Sequence, residues 1–359
     1  MGRLRYRDYR AEPAAWASEL GISREAVDLY LSSEVIDLHT CSFIWSRVFP
    51  GYDLSKRHRP FLPGSAFFNQ VDFPRAREAQ MAGVSWDVTT NPFRPESMRP
   101  QTTVKNLKRL AAELSEFPDD YALVRNFTEY EVARAHGKTA ALISIQGGQA
   151  LDYSVESLDL IPDDLVHRIT IVHMMRSKIA TPSTALRHQD EGLSDFGREF
   201  CVRMQEKCIM VDLAHINRKG FFDAVEATDP GIPLVVTHTG ISSVRKSWRN
   251  LDDEQIRAIA ERGGTIGIVY HPQYLDQTWF GCALSKVIDH MEHVINVVGE
   301  DFVSLGSDYD GMIWMPRELP DITFQPRMVA LMLKRGWDER RIRKILGENF
   351  LRVLRAVRP

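Results

Sequence analysis

Apolar residues gather in short runs, each followed by a polar or glycine-rich loop and then a helical pattern. Eight such runs stand out: 35–41 (VIDLHTC), 83–90 (GVSWDVTT), 140–146 (AALISIQ), 169–174 (ITIVHM), 209–215 (IMVDLAH), 233–239 (PLVVTHT), 265–271 (TIGIVYH) and 303–308 (VSLGSD). Runs this short, apolar on both faces and separated by helices, predict buried parallel strands. Among the helices, RNLDDEQIRAIAERGG predicts an N-cap at Asn250, acidic residues at the positive helix end, an inward stripe of Ile256, Ile259 and Ala260, and Gly263 at C′. DERRIRKILGENFLRVL turns Ile342, Ile345, Leu346 and Leu354 inward. Residues 1–34, with the helical SREAVDLYLSS, read as an N-terminal helical extension packed on the barrel, and 35–359 as the barrel domain. Eight strand–helix units fit a closed (β/α)8 TIM barrel of the α/β class, with a doubly wound open sheet as the alternative.

Composition adds exclusions. A chain of 359 residues, 44% apolar and 26% charged, has the make-up of an ordinary globular protein. Its net charge of −3 gives no reason to expect nucleic acid as a partner. No apolar run is long enough to cross a bilayer, and the N-terminal segment lacks the apolar stretch of a secretory signal, so a cytoplasmic protein with no membrane partner is expected. Cys41, Cys201, Cys208 and Cys282 form no C-x-x-C pair; the last three read as buried, reduced thiols.

Histidine placement carries the chemistry. His39, His173, His215, His238 and His271 end predicted strands, and Asp308 ends the eighth inside GSDYDG. Strand C-termini of such a barrel meet at one mouth, where its catalytic groups collect. Imidazole and carboxylate are the usual ligands of zinc and its neighbours, and an open coordination position makes a hydrolytic site.

The segments IDLHTC, ISIQGGQAL, GLSDFGREF, VDLAHI, VVTHTG, RNLDDEQIRAIAERGG and LGSDYDG occur in the order found in the membrane (renal) dipeptidase family of the amidohydrolase superfamily. The resemblance spans roughly Val35 to the C-terminus and implies an amidohydrolase-like barrel with a two-zinc site that cleaves dipeptides and related small amides. It implies that His39, His215 and His238 are metal ligands, and that Asp308 is a ligand and also accepts the proton of the attacking water. His173 is similar to the family histidine that assists the scissile carbonyl, and Arg249 to the arginine that holds the substrate carboxylate. An arginine fork suits that task because it binds a carboxylate bidentately and stays charged.

Two positions depart from the family pattern. The first strand ends His39-Thr40-Cys41 where the family has His-x-Asp, and Gln146 stands where it has a bridging Glu. Each change removes an anionic oxygen, leaving Asp308 and a Cys41 thiolate to balance the metal charge. One tightly bound zinc is therefore expected rather than two, with iron or manganese as alternatives. Either His39, Cys41 and Asp308 with a water, or His215 and His238 completed by Gln146 or water, would hold it. Cys41 also reads as a small buried residue or, least favoured, as a nucleophile.

Tyr270 and His271 follow the seventh run and are candidates for substrate contact; packing is an equal alternative. Asp212 suggests a structural hydrogen bond and Asp310 a loop turn. Trp45, Phe49, Tyr52 and 61–68 (FLPGSAFF) suggest an apolar lid, with ordinary loop packing at least an equal alternative, while His290 and His293 receive no role. The expected activity is metal-dependent hydrolysis of a small carboxylate-bearing amide, a dipeptide or N-acyl amino acid. Lewis-acid chemistry on another small metabolite and an inactive ligand-binding barrel are the alternatives. A homo-oligomer is compatible with such a barrel.

Overall fold

The computed structural model describes residues 2–58, 67–278 and 280–359. Nine parallel strands form one sheet: β1 (Ile36–Thr40), β2 (Gly83–Thr89), β3 (Tyr121–Leu123), β4 (Thr139–Gln146), β5 (Val166–Thr170), β6 (Met210–Asp212), β7 (Val235–Thr239), β8 (Thr265–Ile268) and β9 (Val303–Leu305). Pairing of β2 with both β1 and β4 closes a ring in the order β1-β2-β4-β5-β6-β7-β8-β9. The expected eight-stranded barrel is present, and β3 is an addition. It pairs with residues 139–141 of β4, on the edge that residues 143–146 give to β5.

Four of the expected runs need their ends moved. β5 begins at Val166, before the predicted start, and ends at Thr170; β6, β8 and β9 stop at Asp212, Ile268 and Leu305. His173, His215, His271 and Asp308 thus lie three residues past their strands, while His39 and His238 sit within β1 and β7. Gly267 and Gly306 let β8 and β9 close against β7, since a Cβ at either would fall within 2 Å of the Thr237 carbonyl oxygen.

Strand alternation sorts the side chains into two cores. Val84, Trp86, Ile143, Ile145, Val211 and Val236 pack outward under the helices. Ile36, Leu38, Ala140, Leu142, Met210 and Val235 pack with Phe350, Val353, Leu354 and Val357 of the last helix, which covers the base. The buried Arg358 finishes that cover, its Nη1 donating to the carbonyls of Val166 and Cys208 at 3.3 and 3.0 Å. Interior positions nearer the mouth are polar: Ser85 and Asp87 on β2, Ser144 on β4, Arg168 and Thr170 on β5, Asp212 on β6 and Thr237 on β7.

The helix after β7 runs Asp253–Glu261, and its N-cap is Asp252, not Asn250. Asp252 forms a reciprocal capping box with Gln255, whereas the Asn250 amide donates to the carbonyls of Arg245 and Tyr274. Ile256 and Ile259 are buried, Ala260 only partly, and Gly263 adopts φ +66° just past the end. Ile342, Ile345, Leu346 and Leu354 are buried, along a helical region interrupted by a π turn at Lys344–Glu348. Helices Pro13–Leu20 and Arg24–Leu31 precede β1; the Leu20 carbonyl accepts from Arg327 at 3.0 Å and Tyr30 donates to the Ala79 carbonyl at 2.7 Å. No helix among the described residues is long and apolar enough to cross a membrane. All four cysteines are free; Cys208, expected to be buried, is exposed at a left-handed turn with φ +54° after its helix.

Candidate metal centre

A cavity of about 600 Å³ opens at the C-terminal ends of the strands. Cys41, Gln146, His173, His215, His238, Arg249, His271 and Asp308 all line it. His39, Cys41 and Asp308 place one donor atom each within 4.8 Å of one another. Cys41 Sγ lies 3.4 Å from His39 Nε2 and 3.7 Å from Asp308 Oδ1, and His39 Nε2 lies 3.5 Å from Asp308 Oδ1. At zinc bond lengths, tetrahedral N, O and S ligands stand roughly 3.3–3.6 Å apart, so the triangle matches a metal-ligand face. Gln146 Oε1 is 3.3 Å from the same sulfur.

A second pair adjoins it. His215 Nε2 and His238 Nε2 face each other at 2.8 Å, and the His238 ring stacks on His39 with centroids 3.8 Å apart. His173 meets His215 edge to face at 4.6 Å. Burial, reinforced by nearby cations, holds His215 and His238 well below the ordinary imidazole value, and burial takes His173 down to about 4. These are neutral rings with lone pairs to offer, and His215 Nδ1 is buried without a partner. His39 is different: burial opposes its charge, but Asp87, Cys41 and Asp308 outweigh burial and raise it well above its ordinary value. Anionic surroundings that favour a proton on His39 also favour a cation beside it. Burial pushes the Cys41 thiol up to about 12, and a bound cation would reverse that. The donor set therefore fits a divalent ion.

His215 (φ +68°) and Asp308 (φ +61°) take up left-handed backbone, an arrangement costing on the order of 1 kcal/mol. It is located where two site side chains turn back into the mouth.

Beneath the donors lies a set of residues that the sequence did not expose. Arg168 is 1% exposed inside the barrel, with Nη2 donating to Asp87 at 2.8 Å and Nη1 to Asp212 at 2.9 Å. Asp87 also accepts from His39 Nδ1 at 2.9 Å, fixing that ring with Nε2 toward the mouth. Burial would push Asp87 up, but Arg168 and His39 outweigh it and hold the carboxyl at about 2. Asp212, expected to make a structural hydrogen bond, also accepts from Thr170 at 2.6 Å and Thr237 at 2.7 Å. The available signal was alternation: Ser85, Asp87 and Thr89 occupy every second position of β2, between Val84, Trp86 and Val88.

Tyr270 does not reach the cavity. Fully buried on the outer side of the wall, it packs edge to face on Tyr309 and accepts from Gln325 Nε2 at 3.2 Å. His271, on the opposite side of the extended chain, lines the mouth against Tyr274. Arg249 is 5% exposed and its Nη2 donates to the His238 carbonyl at 2.5 Å. No carboxylate lies within 4.0 Å of its guanidinium among the described residues. Asp310 accepts from the Gln70 amide at 2.7 Å, anchoring the loop after β9. Of the apolar group near the mouth, Trp45 stacks on Phe49, while residues 61–66 lie outside the described part. His290 accepts from the Ile241 amide at 2.8 Å and donates to the Leu275 carbonyl at 3.1 Å; His293 pairs with Asp253.

The family model for membrane dipeptidases, peptidase family M19, matches residues 23–359. The chain belongs to the membrane dipeptidase family. This is a family of metal-dependent dipeptidases. Among solved structures, the chain is similar to the probable dipeptidase PvdM from Pseudomonas aeruginosa (17% identity, TM-score 0.79, covering 93% of this chain and 98% of that one). It is also similar to an amidohydrolase from the same organism (23%, 0.76, 92% and 98%). A metallopeptidase from Rhodobacter sphaeroides, liganded with a phosphinate mimic of the dipeptide L-Ala-D-Ala, matches at 24% identity and TM-score 0.77, over 90% and 98%. At these identities the likeness speaks for the fold: the amidohydrolase-like barrel of a membrane dipeptidase.

Proposed function

We propose that this protein hydrolyses small amides that carry a carboxylate, dipeptides or N-acyl amino acids, with one tightly held divalent ion, zinc in preference to iron or manganese. The observation behind this reading is the convergence of His39, Cys41 and Asp308 donor atoms on one point beside a cavity, which Cys41 and Asp308 line and which also presents a buried arginine with no carboxylate partner among the described residues. When bound, a divalent ion supplies Lewis acidity and an activated water at neutral pH. Asp308 takes the proton of the attacking water with its other carboxylate oxygen, Oδ1 being turned toward His39 and Cys41, and passes it to the departing amine nitrogen. His173, neutral in its buried setting, donates its N–H to the scissile carbonyl oxygen as charge develops there. Arg249 holds the substrate carboxylate, whose charge its guanidinium lacks in the free protein, and so orients the amide over the donors.

Charge at the donor atoms supports one ion. Around the triangle itself, Asp308 and a Cys41 thiolate are the two anionic groups that would offset a dication, His39 serving as a neutral ligand. A neutral Gln146 amide bridges two cations poorly, so Gln146→Glu should raise the metal content of purified protein from about one ion per chain toward two.

The activity test is a screen of dipeptides and N-acyl amino acids with zinc, iron or manganese added. Turnover is expected for substrates with a free carboxylate and should fall when that carboxylate is amidated. Absence of hydrolysis across the panel, with metal shown to be bound, contradicts the substrate class.

A further inference from the structure

The cavity contains a second cation that the hydrolytic reading leaves unused. Arg47, in the short helix Phe43–Val48 that follows β1, lines the mouth. Its Nη2 donates to Thr89 Oγ1 at 3.1 Å, and its Nε is buried without a partner. Among the described residues no carboxylate lies within 4.0 Å of it, although nearby Arg109 is paired with Glu113 at 2.7 Å. Residues 59–66, outside the described part, contain no Asp or Glu in sequence. Burial, with the positive charges of Arg109 and Arg94, lowers Arg47 to about 10, so this wall of the cavity is short of negative charge.

Position gives the second cation its meaning. Arg47 is tethered to Thr89, the last residue of β2, and Arg249 to the carbonyl of His238 in β7. In the closed ring, β2 and β7 stand four places apart out of eight, so the two guanidinium groups belong to opposite walls. The donors of Cys41 and Asp308 line the same cavity. A guanidinium fork selects a planar oxyanion, and a partly desolvated one does so more strongly than one in open water.

We propose that the substrate is acidic at both ends, its leaving half carrying a carboxylate for Arg249 and its acyl half a second carboxylate for Arg47. This rests on the amide-hydrolase reading above and narrows its substrate class to acidic dipeptides or dicarboxylic N-acyl amino acids. Arg47 is then a residue that sets specificity at the acyl end.

The test is binding rather than turnover. Two phosphinate dipeptide mimics, identical except for Glu or Gln in the N-terminal position before Ala, are titrated by calorimetry into the protein with its metal in place. Wild type should bind the Glu mimic at least about tenfold more tightly than the Gln mimic, the scale of one well-placed ion pair. Arg47→Met puts an apolar, uncharged chain end where the guanidinium lies over the Phe43 ring and should bring that ratio to about one, while Arg47→Lys keeps part of the preference. Equal binding by wild type, or a preference that survives Arg47→Met, overturns the inference and leaves the hydrolase reading intact. Failure of both mimics to bind wild type overturns the hydrolase reading and this inference with it.

Discussion

Two arginine sets occupy neighbouring levels of the same barrel with opposite fates. At the lower level Arg168 is enclosed by Asp87 and Asp212, both essentially inaccessible, so its one charge is shared by two carboxylates. At the mouth, Arg249 and Arg47 line the cavity with a carbonyl and a hydroxyl as their hydrogen-bond acceptors, and no carboxylate within 4.0 Å among the described residues. The closed set has spent its electrostatics on holding β2, β5 and β6 in register and on aiming His39. The open set has not, and on the proposed reading its charge is kept for an anion that enters. Residue type alone does not separate structural from functional arginine; the partner does.

Breaking the closed set should have the largest effect. Arg168→Met leaves Asp87 and Asp212 buried without their cation and should cost about 3–5 kcal/mol of stability, read as a lower urea midpoint. Adding Asp87→Asn and Asp212→Asn should recover part of that loss, and a cost below about 1 kcal/mol for the single variant would contradict the pairing argument. Arg249→Met should behave the opposite way, changing stability by less than about 1 kcal/mol because a single carbonyl contact is lost along with a desolvated charge. Its kcat/KM toward carboxylate-bearing amides should fall about a hundredfold, roughly 2.7 kcal/mol. Equal loss on the amidated analogue would show that Arg249 does not read the carboxylate.

A smaller effect tests the frame that holds the mouth. His290 joins the loop after β7 to the one after β8, and burial lowers its ring to about 4 from an ordinary 6.5. The unfolded chain gains a proton below 6.5 that the folded chain refuses until about 4. The stability that His290 contributes is thus present above pH 6.5 and is lost as pH falls toward 4, at about 1.4 kcal/mol per pH unit. Urea midpoints between those values should decline less steeply for His290→Gln than for wild type; identical slopes would assign the acid limb elsewhere.

The fold was legible because the eight barrel strands are buried on both faces and, β5 apart, announce themselves as apolar runs. β3 has three residues and no distinctive pattern, so it left no trace in the sequence. β5 was placed late because Arg168 breaks its apolar run, and Arg168 is there to serve the interior, not the surface. Histidine placement pointed to the mouth since imidazoles rarely cluster at strand ends without cause. Partners were hidden because they are remote in sequence: Gln146 is 105 residues from Cys41, and Asp308 is 267 from it. Tyr270 and His271 show the limit of strand-end reasoning, as adjacent residues of an extended chain face opposite sides of the wall.

Metal content tests the centre of this account most directly. Protein purified without chelator should carry about one divalent ion per chain by elemental analysis, held by His39, Cys41 and Asp308 and reduced by Cys41→Ser. Two tightly held ions per chain would contradict the charge balance drawn from Cys41 and Gln146, and protein that binds none even when supplied with zinc, iron or manganese would contradict the metal centre itself.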